Sequence, residues 1–577
     1  MTDITPGVAA PTPAKAVILQ PQNSNMKYES LFNDIDTGRI KLPMFQRDFV
    51  WDKERSAKLI DSILKGYPIG TFIFWGTREH LRSHKNVGNH ALPESPVGDY
   101  AQYILDGQQR ITSLYAIRKG IRLTRDNKEV DYRDIFIDLD LEPGEAEGVV
   151  VTEREPGRSY VCVHDLLSTS NLFDFMSTVP ADKLKRLGEY HKMLTTFDFS
   201  TITIKDYPIE IACEIFSRIN TGGKALTVFE IMVAKTYDEG KDFDLAEKFD
   251  LLSEGTVDEP QCLRAAKFDT LSPSTIMQCV AALSVRGIRG KDILKIPRPV
   301  FISTWEPMRK ALFEAIDFVR SELCVPVSQL VPYDQLLIPL TYFFHRTNGR
   351  KVTIGQARRL EQFFYWGALT SRYGGGTEAK IADDLDRMDA IMAGGDAEYP
   401  ALELSIAPEA VAAMGFSTSA GACRAVLCLL ASNHPKSFDT NGTVLLDNSN
   451  LRTGSGKNYH HFFPKAHLKA VLPNSQPNLV ANITLIDGFS NKHIIGKRAP
   501  NDYLMEFGLQ NPHLAATLST HLIGDTEAYG IDADNYERFI ARRAATIAMA
   551  LNVKLMSMTP DQAAMTESAL VTEDAFD

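Results

Sequence analysis

Between residues 53 and 140 the spacing of apolar positions changes several times. In KERSAKLIDSILKG, Ala57, Ile60, Ile63 and Leu64 fall on one face, which predicts a helix capped by Asp52 and stopped at Gly66. GTFIFWG (70 to 76), YAQYIL (100 to 105) and DIFIDLD (134 to 140) are short, bounded runs that read as strands. GQQRITSLYAIRKG reads as a helix closed by Gly120. EGVVVTE, RSYVCV and STITIKD add further strand-like runs. PIEIACEIFSRIN (208 to 220) is helical with Pro208 in its first turn, and Thr227 with Glu230 predicts a capping box for the next helix.

From about 240 to 410 the strand pattern fades. PSTIMQCVAALSV, WEPMRKALFEAIDFVRSEL, YDQLLIPLTYFFHR and IGQARRLEQFFYWGALTSRY all carry helical periodicity. The last third holds a histidine pair within an aromatic stretch, then NYERFIARRAATIAMALNVKL, another helix. The expectation is an α+β multidomain chain: a flexible arm (1–25), a mixed α/β domain (26–240), an all-helical connector (241–410), a helical C-terminal domain (411–557) and a disordered acidic tail (558–577).

Length agrees, since 577 residues exceed one ordinary core. Hydrophobic content of 44% and charged content of 23% belong to a soluble globular chain, and no apolar run approaches the ~20 residues of a membrane span. The first residues lack the basic-then-apolar order of a signal peptide. The seven cysteines form no CxxC pair, so reduced thiols and a cytoplasmic location are expected. A net charge of −11 argues against a non-specific nucleic-acid coat, though not against a DNA enzyme with local basic residues. Arg286, Arg289, Lys291, Lys295 and Arg298 make one such local cluster, which a solvated loop explains about as well as a phosphate groove.

Two stretches carry candidate chemistry. In KNYHHFFPKAHL (457 to 468), His460 and His461 are adjacent; on a strand they point to opposite faces, so one site takes both only with a bend. Asn482 follows in a strand-like stretch, and Asn491 stands where a helix could begin, close to Lys492, Lys497 and Arg498. In ILDGQQRITSLYAI a strand turns into a helix at Asp106 and Gly107. Its exposed N–H groups suit an anion, which Gln108, Gln109 and Arg110 would surround with donors. A plain capped turn accounts for the same residues.

HHFFP and ANITLID…N together resemble the ββα-metal, or HNH, nuclease motif. That resemblance implies His461 as general base, His460 and Asn491 as metal ligands, and Asn482 as the amide that fixes the loop and orients the base. Mg²⁺ is the implied cation; a nitrogen ligand at His460 widens the choice to Mn²⁺, Co²⁺ or Ni²⁺. His467 and His493 read as helix-surface residues.

FQRDFVW, LIDSILKGYPIGTFIFW, YILDGQQRITSLYAI, EIFSRINTGGKALTVFEI and GALTSRYGGGTEAKIADDLDRM occur in the order typical of the DGQQR proteins. These have a ParB/sulfiredoxin-like domain followed by helices. Joined to the HNH-like segment, the chain resembles the single-chain GmrSD-type, type IV modification-dependent restriction enzymes. The resemblance implies binding and hydrolysis of an NTP by Asp106, Gly107, Gln108, Gln109 and Arg110, with Arg47 and Arg55 as further phosphate contacts and Arg218, Asn220, Thr221 and Gly222 closing the pocket. It implies metal-dependent cleavage of modified double-stranded phage DNA at the second site. Phe45, Gln46, Phe49 and Trp51 are candidates for sensing the modification, although aromatics before a helix commonly pack into the core. A homodimeric resting form is conceivable, and no membrane role is expected. Two rivals stand beside this reading: a phosphorothioate-sensing nickase of the same architecture, and a non-catalytic, nucleotide-dependent DNA-binding regulator.

Overall fold

The computed structural model describes residues 20–556 except 43–48, 50, 79–80, 82, 84–85, 88–89, 94–99, 126–127, 142–147, 168–175, 178, 220–226, 401–404, 452–457 and 488–494. The chain divides into two compact units, Met1–Glu239 and Gly240–Asp577.

In the first unit the elements used below are, in chain order, β1 (Gln22–Lys27), α1 (Tyr28–Asp36), β2 (Ile40–Lys41), α2 (Lys53–Leu64), β3 (Phe72–Thr77), β4 (Ala101–Asp106) and α3 (Gln108–Lys119). There follow β5 (Phe136–Asp138), β6 (Val150–Val151), β7 (Tyr160–Cys162), α4 (Leu184–Thr195), β8 (Asp198–Lys205), α5 (Ile209–Ile219) and α6 (Val228–Thr236). A five-stranded mixed sheet runs in the order β1-β8-β3-β4-β2. β8 lies parallel to β3, whereas β1 pairs with β8, and β3 with β4, antiparallel. A smaller antiparallel sheet has the order β6-β5-β7. Leu31, Phe32, Ile60, Ile63, Phe72, Phe74, Ile104, Ile111, Tyr115 and Phe199 share one core, each buried side chain stabilising the fold by about 1.5–3 kcal/mol.

Local signals explain most of these elements. Asp52 accepts from the Arg55 N–H and starts α2; Gly120, at φ 59°, ends α3. The Thr227–Glu230 capping box opens α6. The flexible arm expected over residues 1–25 is shortened by the sheet: Gln22–Asn25 belong to β1. That strand is polar and almost wholly exposed, so its sequence has no apolar alternation, and it is held by ladder bonds to β8 and by the Ser24–Thr201 hydroxyl contact of 2.8 Å.

The second unit carries α7 (Pro273–Val285), α8 (Arg298–Ser321), α9 (Leu337–Thr347), α10 (Ile354–Leu369), α11 (Thr377–Met392), α12 (Gly421–Ser432), β9 (Tyr459–His461), β10 (Ile483–Leu485), α13 (Pro500–Gln510) and α14 (Tyr536–Leu555). Among the described residues from 245 to 400 there is no strand. The expected boundary at 410/411 is crossed by packing: α10 packs on both α12 and α14, and Lys554 pairs with Glu361 at 2.7 Å. Asn448 ties the two parts again, donating to Lys267 O and Asp269 Oδ1 while accepting from Gln329 N–H. Connector and C-terminal helices therefore share one unit. No described helix is long and apolar enough to cross a membrane.

Candidate functional site

The strand-to-helix junction in the first unit is built around an arginine. A register shift between Ile73 and Phe74 precedes the end of the β3/β4 ladder, where Asp106 pairs with Ile73. Gly107 then turns the chain at φ 90°, and α3 starts without a side-chain cap. The N–H groups of its first turn face outward from the helix start with the positive end of the helix dipole behind them. The Arg110 guanidinium curls back: Nη1 donates to Ile69 O at 2.6 Å, and Nη2 donates to Thr71 O at 3.2 Å and to Asp106 Oδ2 at 3.0 Å. It also lies over the Phe72 ring, 5.2 Å from the centroid.

Gln108 and Gln109 are both buried. Trp51 packs half-buried against the core and its carbonyl accepts from Tyr132 Oη at 2.7 Å; Phe49 stacks on the same tyrosine. Arg55 is exposed on α2, and Arg218 is exposed and paired with Glu214 on α5. Phe45, Gln46, Arg47, Asn220, Thr221 and Gly222 lie outside the described residues.

The histidine pair sits on β9, which pairs with β10 in the register Tyr459–Leu485, His460–Thr484, His461–Ile483. The strand is regular, so the two imidazoles take opposite faces. His460 turns inward: it is 2% exposed, its Nδ1 meets Thr484 Oγ1 at 2.9 Å, and its Nε2 has no partner among the described residues. Burial, then the neighbouring His461, His521 and Arg543, hold its pKa well below the usual 6.5. His461 is half-buried on the other face, against the Phe416 ring and Asn478.

Asn478 donates from Nδ2 to Phe416 O, which turns its Oδ1 toward His461 Nε2 at 3.2 Å. That oxygen can only accept, so Nε2 carries the proton and Nδ1 keeps its lone pair. Burial lowers the His461 pKa to about 4 against the opposing Asn478 bond, leaving a neutral imidazole at pH 7.

Asn482 fixes the turn that follows. Its Oδ1 accepts from Phe463 N–H at 2.9 Å, and its Nδ2 donates to Phe463 O and Pro477 O, both at 3.0 Å. Phe462 stacks on Phe539 at 4.7 Å, and Tyr503 Oη donates to Phe462 O at 2.6 Å. Behind β10 the fully buried Arg543 of α14 donates to Ala481 O, Ile483 O and His521 O at 2.6–3.3 Å. Its two strand acceptors flank Asn482.

The structure thus brings His461 and Asn482 to the two sides of one turn and separates the side chains of His460 and His461. Asn491, Lys492 and His493 lie outside the described residues, as does the expected helix start. Among the described residues no group of three or more His, Cys, Asp or Glu could hold a metal ion, and these residues alone do not complete a cation site. His467 does not sit free on a helix surface; it pairs with Asp534 at 2.8 Å. Arg498 pairs with Glu506.

Two of the five cations in the basic cluster are paired with acids. Arg286 meets Tyr342, Asp386 and Asp389, and Arg289 meets Glu378; Lys291 and Lys295 are exposed. Asn478, Thr484 and Arg543 were not singled out from sequence. Asn478 sits in a loop without a motif, and the partners of Arg543 lie about sixty positions away.

Residues 28–237 match the family model described as the GmrSD restriction endonuclease, N-terminal domain. The match falls within the first unit. An uncharacterized protein of Methanocaldococcus jannaschii is 23% identical over 526 residues, covering 81% of this chain and 84% of its own length.

Proposed function

We propose that the chain is an NTP-dependent endonuclease that cleaves modified foreign DNA, with the nucleotide at the start of α3 and phosphodiester hydrolysis at His461. The observation that carries the second half is the state of His461. It is neutral, its Nε2–H is held by Asn478, and its Nδ1 has no hydrogen-bond partner among the described residues, beside a turn locked by Asn482. Such a group accepts a proton from water as the oxygen attacks phosphorus. Asn482 does not touch the reacting atoms in this scheme; it keeps the backbone after His461 in one position. Mg²⁺ or Mn²⁺ would accompany His461, with Asn491 as a ligand, and would supply positive charge to the phosphate.

The first half rests on the uncapped start of α3, whose N–H groups suit a phosphate. Gln108 and Gln109 add carboxamide donors on the first turn.

A second reading is favoured by one observation: the inward turn of His460 removes a ligand from the face that carries His461. In that reading the hairpin is a scaffold and the chain is a nucleotide-dependent DNA-binding regulator. One panel separates them. Purified protein is incubated with plain, hydroxymethylated, glucosylated and phosphorothioated DNA, with ATP or GTP, and with Mg²⁺, Mn²⁺ or a chelator. NTP-dependent cleavage of one modified DNA, abolished by the chelator and by His461→Ala, supports the nuclease. Binding without cleavage in every arm supports the regulator, and cleavage confined to phosphorothioated DNA supports the nickase-type rival.

A further inference from the structure

Arg110 is the cationic member of the segment DGQQR and a side chain expected to meet a phosphate. Its surroundings argue for another role. The guanidinium already holds one carboxylate and two carbonyls, and the carbonyls belong to the loop between α2 and β3. Two glycines make room for it. A Cβ on Gly70 would lie 2.3 Å from Arg110 Nη1; one on Gly107 would lie 2.4 Å from Phe72 Cδ1 and 3.2 Å from Arg110 Nη2. Both glycines have left-handed backbone, at φ 86° and 90°, so the chain is shaped on two sides around this one group. Three of its five N–H donors are committed there, and swinging the group away toward a ligand would release the loop.

Gln108 presents the opposite case. It is the first residue of α3, is 8% exposed, and its amide makes no hydrogen bond among the described residues. One turn further on the same helix face, Thr112 is 2% exposed and its Oγ1 also lacks a partner. Neither group has a partner among the described residues, and at an uncapped helix start the Gln108 carboxamide is a donor for an incoming anion.

We infer that Arg110 is a positioning residue that braces the loop Tyr67–Thr71 against the start of α3, and that Gln108, backed by Thr112, is the side chain that meets the ligand phosphate. The Gln108 half rests on the proposed nucleotide reading; the brace does not.

The test uses the full chain in two arms. Hydrogen exchange of the Ile69, Gly70 and Thr71 amides is followed without nucleotide in wild type, Arg110→Ala, Arg110→Lys and Gln108→Ala. Binding of ATP and GTP is then titrated for the same proteins and for Thr112→Val. Arg110→Ala is expected to speed loop exchange about tenfold, the equivalent of one lost charge-assisted hydrogen bond, with partial rescue by lysine. Gln108→Ala is expected to leave loop exchange unchanged and weaken nucleotide binding about tenfold.

Unchanged loop exchange in Arg110→Ala, with nucleotide binding lost, would overturn the brace and return Arg110 to the phosphate. Wild-type affinity in Gln108→Ala would overturn its contact. A wild-type chain that binds neither nucleotide sinks the nucleotide reading and the Gln108 half with it, while a loosened loop in Arg110→Ala would still uphold the brace.

Discussion

Each unit has an arginine that holds backbone carbonyls, and the two differ in how their charge is offset. Arg110 grips Ile69 O and Thr71 O but keeps Asp106 beside it at 3.0 Å, and its side chain remains 18% exposed. Arg543 is 0% exposed and rests on Ala481 O, Ile483 O and His521 O, with no carboxylate among its hydrogen-bond partners. Burial lowers its pKa to about 9, which still leaves it charged at neutral pH. The paired, partly wet arginine holds a loop that water can also solvate when it lets go. The sealed one holds the backbone at Ala481 and Ile483 from a fully buried position, so it is a fixed staple behind the hairpin that carries Asn482 and His461. Similar contacts thus give a releasable brace in one unit and a permanent one in the other.

The largest effect is expected from Arg543→Met. It leaves three buried acceptors dry, and urea unfolding should lose about 3 kcal/mol or more, against about 1–2 kcal/mol for Arg110→Met. Equal losses would break the distinction. Next in size at the level of activity, His461→Ala should lower DNA cleavage by about 10²–10⁴-fold with the unfolding midpoint nearly unchanged, because a half-buried imidazole is removed without stranding a buried group. Asn478→Ala should cost cleavage about tenfold by freeing the imidazole to rotate.

Acid gives a graded effect to which the histidines of the hairpin side contribute. His461 and His521 each have a pKa near 4 when folded, against the usual 6.5, and His460 is lowered as well. The unfolded chain therefore binds protons more readily between those values. The stability these groups allow is full above about 6.5 and is lost as the pH falls toward 4. Urea midpoints at pH 7.5, 6 and 5 should decline in that order, and His521→Phe should flatten the decline. The smallest effect belongs to Lys291→Ala and Lys295→Ala. Both lysines are exposed and their arginine neighbours are already paired, so stability should shift by less than about 0.5 kcal/mol and DNA affinity in a gel-shift titration should hold.

Sequence carried the local half of this picture well. Asp52 and Thr227 cap helices because an N-cap bond spans three residues, and the Gly107 turn followed from a strand run meeting a helical one. The opposed faces of His460 and His461 followed from the two-residue repeat of a strand. What stayed hidden depends on distant partners. The linear run of positive charge at 285–299 looked available because the acids that meet it, Glu378, Asp386 and Asp389, come some ninety to a hundred positions later. The locking of His461 by Asn478 spans 17 residues with no motif between, and Arg543 resembles any cation on a basic helix until Ala481 and Ile483 are found in front of it. β1 was missed for a different reason: nothing apolar marks it.

That inconspicuous first strand matters to anyone trimming the molecule. The stretch matched by the family model begins at residue 28, one residue after β1 ends. A fragment cut to those limits would bare the flank of β8 along Asp198–Thr203, a row of amides and carbonyls now answered by Gln22–Lys27. An open flank of that kind recruits whatever extended chain it meets, usually a sibling. Five polar residues and Met26 cover that flank, so that a polar strand and not β8 forms the edge of the sheet.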